Sequence, residues 1–342
     1  MSARFYFTTC RAGSESTLKR DVARRHGGRL TPAFMKPQFI TWKEVGEAQT
    51  WDRLSLFARV SGVSLGLCKT VAEVVVQVRK ISTGHVHLHV FPRATPEDGV
   101  SAEEWQRMDA VAAEIEQAGV KIHQQPPSPG DTVVDVVVGE SDTESLFLGT
   151  HEHLPGGHAH PGGLPRLTVS DQVPSRAWLK LEQALAWRGW DKADWRGRTA
   201  LDLGCAPGGA TYALLNRGMN VIGVDTGEMD GRVFKLADAK AVSFEHWRIP
   251  AGKIDLGSLP SRIDLLVCDI NLAPHQVLPM VERVQRHTPA TRLILTLKLN
   301  TPELEDRAEE FLKAVRRFAP GPVYATQLAG NRREICVTAS GE

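Results

Sequence analysis

The chain has 342 residues, enough for two or three domains with adequate cores. Hydrophobic residues make up 42% and charged residues 24%, ordinary for a soluble globular protein, and a net charge of +1 gives no global nucleic-acid signature. No apolar run approaches membrane-spanning length, the amino terminus has no charged-then-apolar signal pattern, and the five cysteines (Cys10, Cys68, Cys205, Cys268, Cys336) form no C-x-x-C, so a reduced, cytoplasmic setting is expected.

Residues 1–63 begin with a strand at Arg4–Thr9, then a helix from about Ser14 to His26 and a strand at Phe39–Lys43. Lys19, Arg20, Arg24 and Arg25 gather in that helix, where a solvated face and an RNA contact both stand open. Residues 64–150 carry an apolar run from Val71 to Val78, the alternating His85–Val90, and a helix from about Ala102 to Ala118. Strands are expected at Val120–His123, Thr132–Val138 and near Leu146–Leu148. Both parts read as small α+β units without a pocket motif. His85, His87 and His89 share one strand face, expected to be wet. In the following segment, 151–169, four histidines (His151, His153, His158, His160) lie among glycines and prolines. Clustered histidines can bind zinc, but this loop offers no rigid frame and no nearby cysteine. A flexible linker that touches substrate is expected, and no metal.

From about residue 170 the pattern alternates β-α-β. The apolar Leu201-Asp202-Leu203 enters a turn, Gly204-Cys205-Ala206-Pro207-Gly208-Gly209, followed by a helical run from Ala210 to Asn216. A second apolar strand, Asn220–Val224, ends in Asp225, placed to accept hydrogen bonds from a ribose. Together these describe a nucleoside-cofactor pocket at the carboxyl edge of a parallel sheet. The glycines are spaced G-x-x-x-G-G, so the G-x-G-x-x-G fingerprint of dinucleotide sites fails. Further strands are expected at Val242–Glu245, Ile263–Asp269 and Arg292–Lys298, with helices near 275–287 and 302–318. Only Ala329–Arg332 separates the last two, Val323–Leu328 and Arg333–Thr338, which permits a hairpin but no parallel crossover. The fold class is therefore α/β, a Rossmann-like sheet with one antiparallel strand.

Four charged residues stand out. Asp269 and Lys298 close apolar strands, Glu334 adjoins the hairpin turn, and Lys180 lies in the amphipathic segment Ser175–Leu185. Singly, each has a bland reading as a solvated or paired charge, and Lys180 as a snorkelling side chain. A lysine closing Leu-Ile-Leu-Thr-Leu is harder to dismiss, because burying an unpaired ammonium is expensive.

The D-L-G-x-x-P-G-G turn resembles motif I of S-adenosylmethionine-dependent methyltransferases of the FtsJ-like branch, which methylate RNA ribose. Lys180, Asp269, Lys298 and Glu334 match that family's Lys-Asp-Lys-Glu tetrad. Leu164–Leu167, Pro174–Arg176, Leu179–Glu182, Asp225–Met229 and the region Arg332–Glu334 are similar to the RlmM group, which acts on large-subunit ribosomal RNA. Cys10–Gly13 and Leu56–Arg59 are similar to that group's front region.

The resemblance implies a class I methyltransferase domain over 170–342, a ferredoxin-like domain over 1–63 and a THUMP-like RNA-binding domain over 64–150. The cofactor would be S-adenosyl-L-methionine, contacted by Asp202, Gly204, Ala206, Pro207, Gly208, Gly209, Asp225 and Asp269. Lys298 would be the base, positioned by Asp269, with Lys180 and Glu334 completing the charge set. A lysine can serve so only if its pKa falls toward the working pH, whereas neighbouring carboxylates push the other way. The partner would be RNA, most naturally ribosomal. A non-catalytic RNA-binding or assembly protein and an enzyme acting on transfer RNA remain as alternatives. This chain departs from the family in three places: no clear acid lies within His246–Lys253, Ala210 replaces a tryptophan, and the linker is His/Gly/Pro-rich.

Overall fold

The structure is a computed structural model that describes residues 4–47, 53–96, 99–141 and 145–341. They divide into two compact units, Met1–Arg166 and Leu167–Glu342.

The first unit holds strands β1 (Phe5–Thr9), β2 (Leu30–Lys36), β3 (Phe39–Glu44), β4 (Val60–Cys68), β5 (His85–Pro92), β6 (Lys121–Ile122), β7 (Thr132–Val138) and β8 (Leu146–Glu152). Its helices are α1 (Glu15–His26), α2 (Val71–Ile81) and α3 (Ala102–Gln117). The strands form one sheet in the order β2-β3-β1-β4-β8-β7-β5-β6, continuous across residue 63, which lies within β4. The apolar run from Val71 is a helix because Val71, Val74, Val75 and Val78 fall on one buried face, and Thr70 caps it by accepting from the Glu73 amide. An aromatic cluster of Phe7, Phe39, Phe91 and Phe147 covers one sheet face. Gly62 and Gly149 make room for Phe7: a Cβ on Gly149 would stand 2.5 Å from its ring.

Two sequence readings change here. Of the basic cluster in α1, Arg24 and Arg25 hold the buried Asp21 at 2.5 and 2.9 Å, so they are not a bare basic stripe. The β5 face carrying His85, His87 and His89 is wet only at its start: His85 is exposed and His87 half-buried, but His89 is only 5% exposed. The chain beyond β8 returns over this face, where the turn Pro161–Gly163 packs so closely that a Cβ on Gly162 would lie 2.6 Å from Phe91. His151 and Glu152, placed by sequence at the start of the linker, are the last residues of β8.

The second unit contains α4 (Ala177–Trp187), β9 (Thr199–Leu203), α5 (Gly209–Asn216), β10 (Asn220–Val224), α6 (Gly231–Lys240) and β11 (Phe244–Trp247). It continues through β12 (Ile263–Cys268), α7 (Pro274–His287), β13 (Ala290–Lys298), α8 (Pro302–Asp306), α9 (Ala308–Arg316), β14 (Val323–Thr326) and β15 (Glu334–Ser340). The strand order is β11-β10-β9-β12-β13-β15-β14. β15 runs antiparallel to both neighbours, and the other pairings are parallel, so the expected single reversed strand is present. β12 is buried along its whole length, as a central strand covered on both faces must be. The order reverses at β9, between β10 and β12, and ligands of open α/β sheets bind in the crevice such a reversal leaves. Among the described residues, no helix is long and apolar enough to cross a membrane.

Candidate active site

The turn after β9 is held by its own chain. Gly204 has φ +83°, and a Cβ there would stand 2.9 Å from the Ile270 amide nitrogen. Gly208 has φ +119°, and a Cβ would collide with Val233 of α6 and come within 2.9 Å of Met229. At Gly209 it would collide with Ser175 and reach 2.8 Å from the Trp178 amide of α4. Each glycine is thus demanded by close approach of another chain segment, not only by room for a ligand. The Pro207 carbonyl accepts from the Asp230 amide at 2.9 Å, tying the turn to the cap of α6.

Asp225, just past β10, accepts from the Ala206 amide at 3.1 Å and from the Gly227 amide at 2.8 Å. It therefore fixes the turn while staying half-buried at the sheet edge. Asp202 sits beneath the same turn, fully buried, accepting from Thr211 Oγ1 at 2.7 Å. Burial, with Asp269 and Asp225 adding to it against the Thr211 hydrogen bond, pushes its carboxyl up to about 7. Of the residues expected to contact a cofactor, Asp202, Gly208 and Gly209 are buried, while Gly204, Ala206, Asp225 and Asp269 are half-buried and Pro207 is exposed.

At the neighbouring strand ends four charges close into a ring. Lys180 Nζ, from α4, lies 3.0 Å from Asp269 Oδ2 and 2.8 Å from Glu334 Oε1. Lys298 Nζ, the last residue of β13, lies 2.5 Å from Asp269 Oδ1 and 2.6 Å from Glu334 Oε2. Each amine bridges both carboxylates, so the charges alternate and sum to zero. Burial disfavours charge on Lys298, but Asp269 and Glu334 outweigh it and hold the ammonium above the ordinary lysine range. Glu334 is likewise penalised by burial, yet Lys298 and Lys180 bring its carboxyl below its ordinary value.

Sequence reasoning missed the groups that hold this ring. Asn331, fully buried in the hairpin turn, donates to Glu334 Oε1 at 3.3 Å and accepts from the Leu328 amide at 2.9 Å. Gln183 of α4 accepts from the Gly330 amide at 2.7 Å, fastening the hairpin to the helix that carries Lys180. Both are neutral; Asn331 acts three residues away on either side, and Gln183 acts across 147 positions, so no charge pattern marks either. Ala210 borders a small cavity beside Lys180, Asp269 and Asn331.

Residues 173–308 match the FtsJ-like methyltransferase family. The chain is 34% identical over 171 residues to the ribosomal RNA large subunit methyltransferase M of Chromohalobacter salexigens, covering 48% of this chain and 45% of that protein. It is 34% identical over 180 residues to the protein of the same name from Halorhodospira halophila, covering 52% and 50%. It thus spans about half the length of the curated relatives it matches. A solved structure of a putative ribosomal RNA methyltransferase from Plasmodium falciparum aligns with 49% of this chain and 97% of its own, at TM-score 0.36 and 16% identity. The chain carries an FtsJ-like methyltransferase domain and is, over about half its length, a homologue of the large subunit methyltransferases M.

Proposed function

We propose that this protein transfers a methyl group from S-adenosyl-L-methionine to a ribose 2'-hydroxyl of RNA, with large-subunit ribosomal RNA as the substrate. The observation that carries this reading is the closed Lys180–Asp269–Lys298–Glu334 ring at the carboxyl edge of the sheet, beside the glycine turn.

The residues present fit the cofactor. The turn at Gly204–Gly209, Asp225 and Asp269 gather where β9, β10 and β12 end, and Asp225 keeps lone pairs beyond its two backbone partners. Trp247, half-buried at the end of β11, adds an aromatic surface; its indole donates to Glu245 Oε2 at 3.0 Å and its carbonyl accepts from the Asp225 amide at 3.3 Å. When bound, S-adenosylmethionine supplies an electrophilic methyl on a positively charged sulfur.

A ribose hydroxyl is a poor nucleophile until a base takes its proton. In the structure Lys298 is held charged, so it must first release its own proton. A cation arriving beside a ring that already sums to zero opposes the ammonium form and lowers this barrier. The carboxylates of Asp269 and Glu334 then keep the neutral amine aimed, and the four groups titrate as a set. Lys180 shares the same carboxylates and limits their pull on Lys298. Holding nucleophile and methyl in line supplies much of the remaining acceleration.

In this reading residues 1–63 and 64–150, the ferredoxin-like and THUMP-like parts, capture RNA, and catalysis itself uses no metal. The cytoplasm is the proposed setting, in keeping with five free, buried cysteines. A non-catalytic assembly role is disfavoured because a solvated charge set would serve it equally well, whereas this ring is closed, with Lys298 and Glu334 buried and Lys180 and Asp269 half-buried.

The decisive experiment maps ribose methylation on total RNA from cells with and without the gene, then repeats transfer on a fragment carrying 2'-deoxyribose at the mapped position. The proposal requires one lost methylation in large-subunit RNA and no transfer to the deoxy fragment. Transfer to the deoxy fragment refutes ribose chemistry, and a lost mark in transfer RNA refutes the substrate.

A further inference from the structure

Three strands of the first unit bring His89, Asp135 and His151 together on one face, away from any role in methyl transfer. His89 of β5 and Asp135 of β7 are register partners in a parallel pair. His151 of β8 is the partner of Val133, one same-face step along β7 from Asp135. Their nearest ligand atoms all lie within 4.8 Å of one another. His151 Nδ1 and Asp135 Oδ2 are 2.5 Å apart, which satisfies one oxygen of the carboxylate. The other oxygen and His89 Nδ1 are both buried without a hydrogen-bond partner and face each other across 3.9 Å, too far for a hydrogen bond. Asp135 is fully buried and His89 5% exposed, so solvent does not complete either group. An orphaned buried polar atom costs about 1–3 kcal/mol, and here there are two, aimed at one point.

We propose that His89, Asp135 and His151 bind a zinc ion in the amino-terminal unit. Atoms ligating one zinc at ~2.0–2.2 Å lie roughly 3–4 Å apart, so small side-chain rotations close the set. Two imidazoles and one carboxylate suit zinc and disfavour magnesium or calcium, which take oxygen ligands. The rigid frame that the His-rich loop lacks in sequence is supplied by β5, β7 and β8. A further buried nitrogen without a hydrogen-bond partner, His153 Nδ1, lies just beyond β8. Zinc there would pin the carboxyl end of β8 to β5 and so hold the returning chain segment 153–166 in place.

The test uses the full chain without an affinity tag, stripped with a chelator and titrated with zinc against a chromophoric competitor. One ion per chain is expected, no competition by millimolar magnesium, and a cobalt derivative with the intense visible bands of a four-coordinate site. His89→Gln and His151→Gln should each weaken zinc by at least about 100-fold. The double variant His85→Gln/His123→Gln, removing two exposed histidines of the same neighbourhood, should bind as the parent does. Zinc should raise the thermal midpoint of the parent and leave that of Asp135→Asn unchanged, a comparison that stands even if the histidine variants fold poorly. No stoichiometric zinc in the parent, or binding lost in the exposed double variant and kept in His89→Gln, overturns the proposal. Neither RNA nor methyl donor enters this test, so it is independent of the methyltransferase reading.

Discussion

Lys298 and Glu334 are direct register partners across β13 and β15, and their side chains meet at 2.6 Å. The one reversed strand of the sheet is therefore what delivers the second carboxylate. In a sheet of parallel strands alone, each strand end would point a new loop at the crevice. Reversing β15 instead brings the start of a strand to the same edge, and the short turn Ala329–Arg332 carries Asn331 in behind it.

Lys298→Met keeps most of the side-chain volume and removes the amine. Turnover on RNA should fall by ~10²–10⁴, the usual worth of a general base. Affinity for the methyl donor should stay within a few-fold, because only the transition state needs a proton acceptor. Asp269 and Glu334 would keep Lys180 alone, so lower stability is also expected, by up to ~3–5 kcal/mol if the ring behaves as a buried pair with one partner removed. Calorimetry with the donor, below the variant's midpoint, separates the two effects. A near-normal rate would dismiss Lys298 as the base.

The pH profile follows from the direction of the Lys298 shift. Its folded pKa lies above the ordinary 10.5, so the neutral amine grows more abundant as pH rises. Single-turnover rate should therefore climb about tenfold per pH unit above neutrality, flattening only where the bound complex lowers the lysine. The stability terms have opposite windows. The raised Lys298 stabilises fully below 10.5 and loses its effect as pH rises through the folded value, whereas the depressed Glu334 stabilises above 4.5 and loses its effect as pH falls through its own. The midpoint difference between parent and Lys298→Met should be widest between these limits. A rate independent of pH from 7 to 9 contradicts the scheme.

Much of the second unit could be read directly because its signals are local. Apolar runs ending in Asp269 and Lys298, the turn after Leu203 and the short Ala329–Arg332 link each fit within a dozen residues. The first unit resisted. β2 contains Pro32 and is exposed for all but its first residue, as an edge strand can be, so no buried alternation marks it. β4 is interrupted by Gly62 and Gly66, and Gly62 is required by the Phe7 ring and the Thr150 carbonyl, contacts unknowable from the strand itself. The covering of β5 at Phe91 depends on residues 161–163 folding back from some seventy positions away. The ring of charges was assembled from motif likeness, but its supports, Asn331 and Gln183, carry no such mark.

Gly208 offers a test of what the turn's glycines do. A Cβ there meets Val233 and Met229, and φ is +119°, so Gly208→Ala combines a clash with a strained backbone. Such strain is worth about 1–3 kcal/mol. The variant should lose stability measurably without ligand, and Val233→Ala in the same chain should restore only the part due to the clash. Gly231, whose added Cβ would meet nothing within 4 Å, provides the control. If Gly208→Ala is as stable as the parent and merely fails to bind the donor, the glycine serves ligand approach alone.

Asp202 yields the sharpest prediction about stability, because the direction runs against the common pattern for carboxylates. Its folded pKa is raised from 3.8 to about 7, chiefly by burial and then by the like charges of Asp269 and Asp225. Between those values the native state binds a proton that the unfolded chain has released, so stability must fall as pH rises through the window. The span corresponds to roughly 4 kcal/mol at ~1.4 kcal/mol per unit. Asp202→Asn removes the titration while keeping an oxygen to accept from Thr211. Its amide nitrogen would occupy the place of Oδ1, which has no partner, and so offset part of the gain. Denaturant unfolding at pH 5 and pH 8 should show the parent weakening between the two while the variant stays nearly level, the variant becoming the more stable at pH 8. Donor affinity measured on the same samples shows whether a fully buried carboxylate influences the ligand through the turn above it. Parallel pH dependence in parent and variant would mean that Asp202 is not the group responsible, and that its charge is accommodated by the buried turn.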